Sequence, residues 1–169
     1  MNVAFFLIPK AETAFLYEDD TLRQALEKMH YHGYTAIPVL SREGKYISTV
    51  SEGDFLWYLV QGEGGELYPT DIRDLQNLPL TEVLRTDRNP PIRITDTMEN
   101  LLVRSLNQNF IPVTDDRDIY IGLITRRDII QYFYEHSLPE GVPAALAQSL
   151  CETSYVAPQA KQILRTANP

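Results

Sequence analysis

The sequence predicts an α/β (α+β) fold built from two copies of one small unit, each strand–helix–strand–strand–helix, packed sheet to sheet. Three observations predict it. The first is an internal repeat: adding 74 to the residue number takes Ile37-Pro38-Val39 to Ile111-Pro112-Val113, Ile47 to Ile121, Ser51 to Thr125, Asp54 to Asp128 and Tyr58 to Tyr132. Self-similarity at a fixed offset marks a repeated structural unit. The second is that Asp20-Thr21-Leu22 returns as Asp96-Thr97-Met98 at an offset of 76, so the second copy is two residues shorter between its first helix and its Ile-Pro-Val strand. The third is size. A unit of about 55 residues cannot bury a sufficient core alone, whereas two packed through their sheets can.

The elements run in order along the chain. Val3 to Ile8 is a short apolar segment closed by Pro9, a strand or a helical turn against the core. Thr13 to Tyr17 reads as a strand. Glu18-Asp19-Asp20-Thr21 supplies a helix start with Asp20 as the expected cap. Leu22, Ala25, Leu26 and Met29 fall at i, i+3, i+4 and i+7, which predicts an amphipathic helix to about His32, ended by Gly33. Ala36 to Leu40 is a buried strand, Ser41 to Gly44 a tight turn and Tyr46 to Val50 the next strand. Ser51 then caps a helix to about Gln61. Gly62-Glu63-Gly64-Gly65 breaks that helix. It lacks a following Lys-Ser/Thr, so it is a linker and not a phosphate loop. The expected organisation is a first unit at 6–62, a linker at 63–79 with a helical turn at Asp71–Leu75, a second unit at 80–136 opening with a short helix at Leu80–Leu84, and a tail at 137–169. Within the tail, Pro143–Leu150 and Pro158–Leu164 read as short helices.

Composition narrows the function. The 169 residues are 44% hydrophobic and 22% charged, an ordinary globular balance. A net charge of −8 argues against sequence-independent binding to nucleic acid, which needs a broad basic surface. The single Cys151 fits a reducing compartment. The apolar N-terminus has no basic leader, and no apolar run approaches the roughly 18 residues that span a bilayer, so a cytoplasmic protein is expected. No Ser–His–Asp or Cys–His set and no facing carboxylates can be proposed, so no catalysis is expected. His30 and His32 diverge by about 200° on their helix and make poor metal ligands. Arg85 and Arg88 flank Asp87, which predicts a surface ion pair.

The stretch that carries chemistry is the end of each unit: Ser51-Glu52-Gly53-Asp54 and Thr125-Arg126-Arg127-Asp128. Taken singly, a hydroxyl followed three residues later by a carboxylate is a variant capping box. Two copies in register with a whole duplicated unit point further. The free N–H groups of a helix start attract anions, and Arg126 and Arg127 stand at one such start. A carboxylate such as Asp128 can accept from ribose hydroxyls. Tyr34, before a buried strand, either stacks on a base or closes the core.

The ordered repeat, Ile-Pro-Val before a turn and Ser/Thr-x-x-Asp after the third strand, resembles a tandem pair of cystathionine-β-synthase (CBS) domains, the Bateman module, over about residues 6–136. The resemblance implies two clefts about a pseudo-twofold axis, each taking adenine from one unit and ribose or phosphate from the other. The first cleft would use Glu12, Thr13, Ala14, Tyr34, Thr35, Ala36 and Ile37 with Thr125, Arg126, Arg127 and Asp128. The second would use Asn109, Phe110 and Ile111 with Ser51, Gly53 and Asp54. It is the poorer, with Glu52 in place of an arginine, so it should favour a nucleoside, bind weakly or stay empty; contact with its phosphate end is the alternative to an ion pair for Arg85 and Arg88. Leu7-Ile8-Pro9, Gly33 to Leu40 and Thr125-Arg126-Arg127 also resemble the small stand-alone CBS proteins of Gram-positive bacteria that bind cyclic di-AMP. That likeness implies a non-catalytic nucleotide sensor with no cofactor or metal, acting as a homodimer on a regulated cytoplasmic protein such as the alarmone synthetase. Glu12 stands where a lysine is expected, Asp128 is retained and the tail differs, which leaves AMP, ADP or ATP open as ligands and an interaction module with decayed clefts as the alternative.

Overall fold

The computed structural model describes residues 2–61, 75–86 and 88–137. In chain order its elements are β1 (Ile8–Pro9), β2 (Leu16–Tyr17), α1 (Leu22–His32), β3 (Ala36–Leu40), β4 (Tyr46–Ser51), α2 (Glu52–Gln61), β5 (Ile92–Arg93), α3 (Met98–Asn107), β6 (Phe110–Thr114), β7 (Tyr120–Thr125) and α4 (Arg126–Ser137). One sheet has the order β2-β3-β4 and the other β1-β7-β6-β5. The chain divides into Met1–Ile129, which holds every described strand, and Ile130–Pro169. In the latter, residues 130–137 continue α4, and His136 stacks on Tyr132 with ring centroids 4.0 Å apart. Among the described residues no helix is long and apolar enough to cross a membrane. The expected turn at Asp71–Leu75 and the two short tail helices fall on residues outside those described, Leu75 excepted.

Local sequence explains the helices with one correction. The α1 cap is Thr21, not Asp20. Gln24 donates its amide to the Thr21 hydroxyl, and the Gln24 side chain reaches back to the Thr21 amide at 2.8 Å, a full capping box. The Asp20 carboxylate instead accepts from the Tyr17 amide, turning the chain out of β2. Thr97 caps α3 by the forward bond alone, its hydroxyl accepting from the Asn100 amide at 3.3 Å, while the Asn100 side chain turns to Asp96. Gly33 closes α1 in the left-handed conformation, at φ 68°. The second copy ends α3 one residue sooner and has one residue fewer before β6, which accounts for its two-residue shortening. The strand expected at Thr13–Tyr17 is trimmed to Leu16–Tyr17, because Lys10–Glu12 forms a 3-10 turn that ends at Thr13.

The outer strands are short and leave part of each inner strand uncovered. β2 covers only Val39 and Leu40 of β3, and β5 only Val113 and Thr114 of β6. From Ala36 to Pro38, and from Phe110 to Pro112, one edge of each inner strand has no strand beside it. That is where a strand tolerates proline.

The repeats meet about a pseudo-twofold axis, visible in residues that pair with their own counterparts. Lys45 bridges Ile119 and the Tyr46 and Tyr120 rings stack at 6.4 Å, while the Tyr120 amide donates to the Gly44 carbonyl at 2.9 Å as the Tyr46 amide does to the Asp118 carbonyl at 3.3 Å. Each repeat also lends its leading segment to the other. β1 pairs with β7 of the second sheet, Ile8 opposite Leu123 and Pro9 opposite Gly122. In return Leu75, Leu80 and Val83 enter the core of the first sheet beside Leu16, Leu22 and Ile37. The Leu80 amide donates to the Asp20 carbonyl at 2.8 Å and the Leu22 amide to the Leu78 carbonyl at 3.0 Å. Each large side chain so buried contributes about 1.5–3 kcal/mol.

Burial pushes the Tyr120 phenol up to about 12 and raises Tyr46 as well. Both are neutral in the fold, whereas an unfolded tyrosine ionises near 10. Their contribution is therefore complete below about pH 10 and is lost as pH rises toward 12, an effect on the order of 2–3 kcal/mol for Tyr120. The urea midpoint is expected to fall between pH 10 and 12 and to fall less in Tyr120→Phe. Equal slopes in the two proteins would refute this.

Candidate functional site

The open edge of β3 forms one wall of a cleft of about 220 Å³ between the two sheets. Ala36 and Pro38 face it from β3, with Tyr34 at the rim, 41% exposed. Glu12, Thr13 and Ala14, on the run into β2, form a second wall. Thr125, Leu123 and Phe110 close it from β7 and β6, and Ile8 from β1. A corner of the second repeat thus faces the base-sized notch of the first.

Several of these side chains are already held. Tyr120 donates to the Thr13 hydroxyl at 3.2 Å, and Thr13 donates in turn to the Lys10 carbonyl at 3.0 Å. Thr13 is therefore fixed from both sides. The Tyr34 ring lies nearly parallel to the His32 ring at 5.5 Å. Thr125 donates to the Asp128 carboxylate at 2.5 Å and accepts from the Asp128 amide at 3.1 Å. The hydroxyl and carboxylate form one unit at the start of α4.

Other expected residues lie behind the lining. Thr35 is exposed, and its carbonyl accepts from the Glu52 amide at 3.0 Å. Ile37 is wholly buried in the first core. Arg126 is half-buried and its guanidinium donates to the Asn109 side chain, while Arg127 is exposed. Asp128 reaches the cleft only through Thr125. Ile8, Pro38 and Leu123 had no signal as lining residues, because a two-residue strand and a strand edge leave no periodicity to read.

The residues of the second cleft are arranged differently. Phe110 lines the first cleft, Ile111 is buried, and the Asn109 carbonyl accepts from the Arg126 amide at 2.9 Å. At the opposite corner, beside the exposed Gly53, Asp54 is buried and paired with Arg88 and Arg85, the latter at 3.7 Å. The surface ion pair expected around Asp87 falls on a residue outside those described, and Arg85 and Arg88 stand at the Asp54 corner of the second cleft. Both arginines, though partly exposed themselves, reach one buried carboxylate.

Comparison with known proteins agrees with this architecture. Cyclic di-AMP receptor B of Bacillus subtilis is 25% identical over 135 residues, covering 80% of this chain and 88% of that protein. A conserved hypothetical protein of Geobacillus kaustophilus superposes with a TM-score of 0.71 at 25% identity, covering 80% of this chain and 98% of the other. The CbpB protein of Listeria monocytogenes, solved in complex with c-di-AMP, superposes with a TM-score of 0.67 at 24% identity, covering 79% and 96%. The CBS domain model matches residues 8–61 and again 79–135, so the chain belongs to the CBS domain family and carries two repeats of it.

Proposed function

We propose that the chain is a non-catalytic adenine-nucleotide sensor, with cyclic di-AMP as the favoured ligand, that regulates another protein according to occupancy. The observation that carries this reading is the cleft uniting Tyr34, Ala36 and Thr13 of the first repeat with Thr125 of the second. Its parts suit the chemistry. The unpaired edge of β3 offers backbone groups to an adenine, Phe110 and Leu123 offer apolar contact, and Tyr34 offers a ring face. The Thr125–Asp128 unit can take ribose hydroxyls. A guanidinium has five donors, so Arg126 can keep Asn109 and still meet a phosphate, and Arg127 is free to join it. A volume of about 220 Å³ lies below the roughly 300–1,000 Å³ of sites that enclose a drug-sized ligand, so it would take one nucleoside, with phosphates at the mouth.

The relatives named for cyclic di-AMP support that ligand. Glu12 in the cleft wall favours a second reading, AMP, ADP or ATP, because a carboxylate repels a further phosphate. On either reading the chain would work in the cytoplasm as a homodimer. Occupancy would alter the surface or rigidity offered to a regulated protein, for which an alarmone synthetase is the candidate suggested by resemblance.

Isothermal titration with cyclic di-AMP, AMP and ATP tests the proposal. Heat from at least one is expected, and none from all three would leave an interaction module with decayed clefts. Arg126→Ala with Arg127→Ala is expected to weaken binding by roughly tenfold or more, since a charge-assisted contact contributes about 1.5–3 kcal/mol. Unchanged affinity would mean the phosphate lies elsewhere.

A further inference from the structure

Asp54 and Asp128 are counterparts in the repeat, yet their surroundings differ. Asp128 is half-buried, and among the described residues it has no ion pair. The Asp54 side chain is only 5% exposed. Its Oδ2 accepts from the Ser51 amide at 2.8 Å, from the Ser51 hydroxyl at 2.7 Å and from Arg88 Nη1. Its Oδ1 faces Arg85 Nε at 3.7 Å. Arg88 Nη1 also donates to Ser51 Oγ at 2.9 Å. A carboxylate has about four acceptor positions. Here Oδ2 is filled and a second cation stands 3.7 Å from Oδ1, so an arriving ribose diol meets a carboxylate that is already engaged.

The segment that presents Arg88 is itself anchored. The Tyr46 hydroxyl donates to the Asn89 carbonyl at 2.8 Å, and Ser48 donates to the Arg85 carbonyl. Asn89 adopts the left-handed conformation at φ 49°, which asparagine tolerates better than most residues. The guanidinium is therefore held at Ser51 and Asp54 by the backbone as well as by its own bonds. A ligand arriving there competes with a tethered cation whose effective concentration is high.

We propose that Arg88 is an internal occupant of the second cleft, a built-in cation that holds Asp54 where a nucleotide ribose would sit and so closes one of the two equivalent corners. The inference rests on the nucleotide reading of the Ser/Thr-x-x-Asp corner. Arg88 thereby sets how many nucleotides one chain takes, and its removal opens a site for a mononucleotide with a free ribose diol.

The test is equilibrium dialysis with labelled AMP, and separately with labelled cyclic di-AMP, on the full chain, on Arg88→Ala and on Arg88→Ala combined with Asp54→Asn. Arg88→Ala is expected to bind one more AMP per chain than the unaltered protein, and the double variant to return to the original number. Equal numbers in Arg88→Ala and the unaltered chain overturn the proposal. If circular dichroism shows that Arg88→Ala does not fold, Arg88→Gln takes its place. Its uncharged amide still donates to Asp54, and it too must gain a site, though a weaker one. If the unaltered chain binds neither AMP nor cyclic di-AMP while the variant binds one AMP, the closed corner stands and the reading of the first cleft falls. If no form binds either nucleotide, both fall.

Discussion

Replacing Gly122 with alanine is expected to destabilise the fold by roughly 3 kcal/mol or more. Gly122 lies in β7 opposite Pro9 of β1 on one side and Val113 of β6 on the other. A Cβ there would fall on the carbonyl oxygen of Ile8 and come within 2.9 Å of Leu7 Cδ1. The obstructing atoms are mostly backbone, so rotation of a side chain does not relieve the clash, and β1 must leave the sheet. For a domain of this size the loss corresponds to a drop in Tm of roughly 6–12 °C. Since Ile8 also lines the first cleft, nucleotide affinity should fall with it. Thermal unfolding and amide exchange at Leu123 would check this. A Tm within about 2 °C of the parent, with Leu123 still protected, would show that β1 contributes little.

Ala36→Trp is expected to have the opposite profile. Ala36 is only partly buried and faces the cleft from the open edge of β3. An indole there would fill much of about 220 Å³ while the core behind, with Ile37 and Val39, stays packed. Nucleotide affinity should fall by at least about 100-fold, or roughly 2.7 kcal/mol. Tm should change by no more than about 4 °C. Titration calorimetry and thermal unfolding together read both quantities. A variant that still binds at parental affinity would move the ligand out of this cleft.

Much of this architecture could be read from the chain, because the repeat writes each element twice. Ile37-Pro38-Val39 and Ile111-Pro112-Val113 both become inner strands, and Ser51 and Thr125 both end strands that run into helices. The faces of α1 are set by the spacing of Leu22, Ala25 and Met29. What escaped was non-local or too short to have a period. β1 is two residues long and pairs with a strand more than a hundred positions away, so no window of sequence could reveal it. Asp20 beside Thr21 offered two chemically adequate caps, and only the turn out of β2 decides between them. The neighbouring Asp87 favoured a local ion pair for Arg88 over contact with the second cleft, and the carboxylate it meets at that corner lies 34 positions back. In the first cleft Thr13, Tyr34 and Thr125 are brought together as the resemblance implied, but Tyr120, which fixes Thr13, carried no signal beyond being a tyrosine in a strand.

The mutual loan of leading segments has a consequence for how such a chain could have arisen. A solitary copy would have one sheet lacking its flanking ribbon and one ribbon lacking a sheet. Two solitary copies could satisfy each other only by swapping arms, and fusing their genes would then freeze an ancestral handshake into a single polypeptide. Once joined, two halves can differ at their corners, as they do where Asp54 is paired with Arg88 and Asp128 is bonded to Thr125.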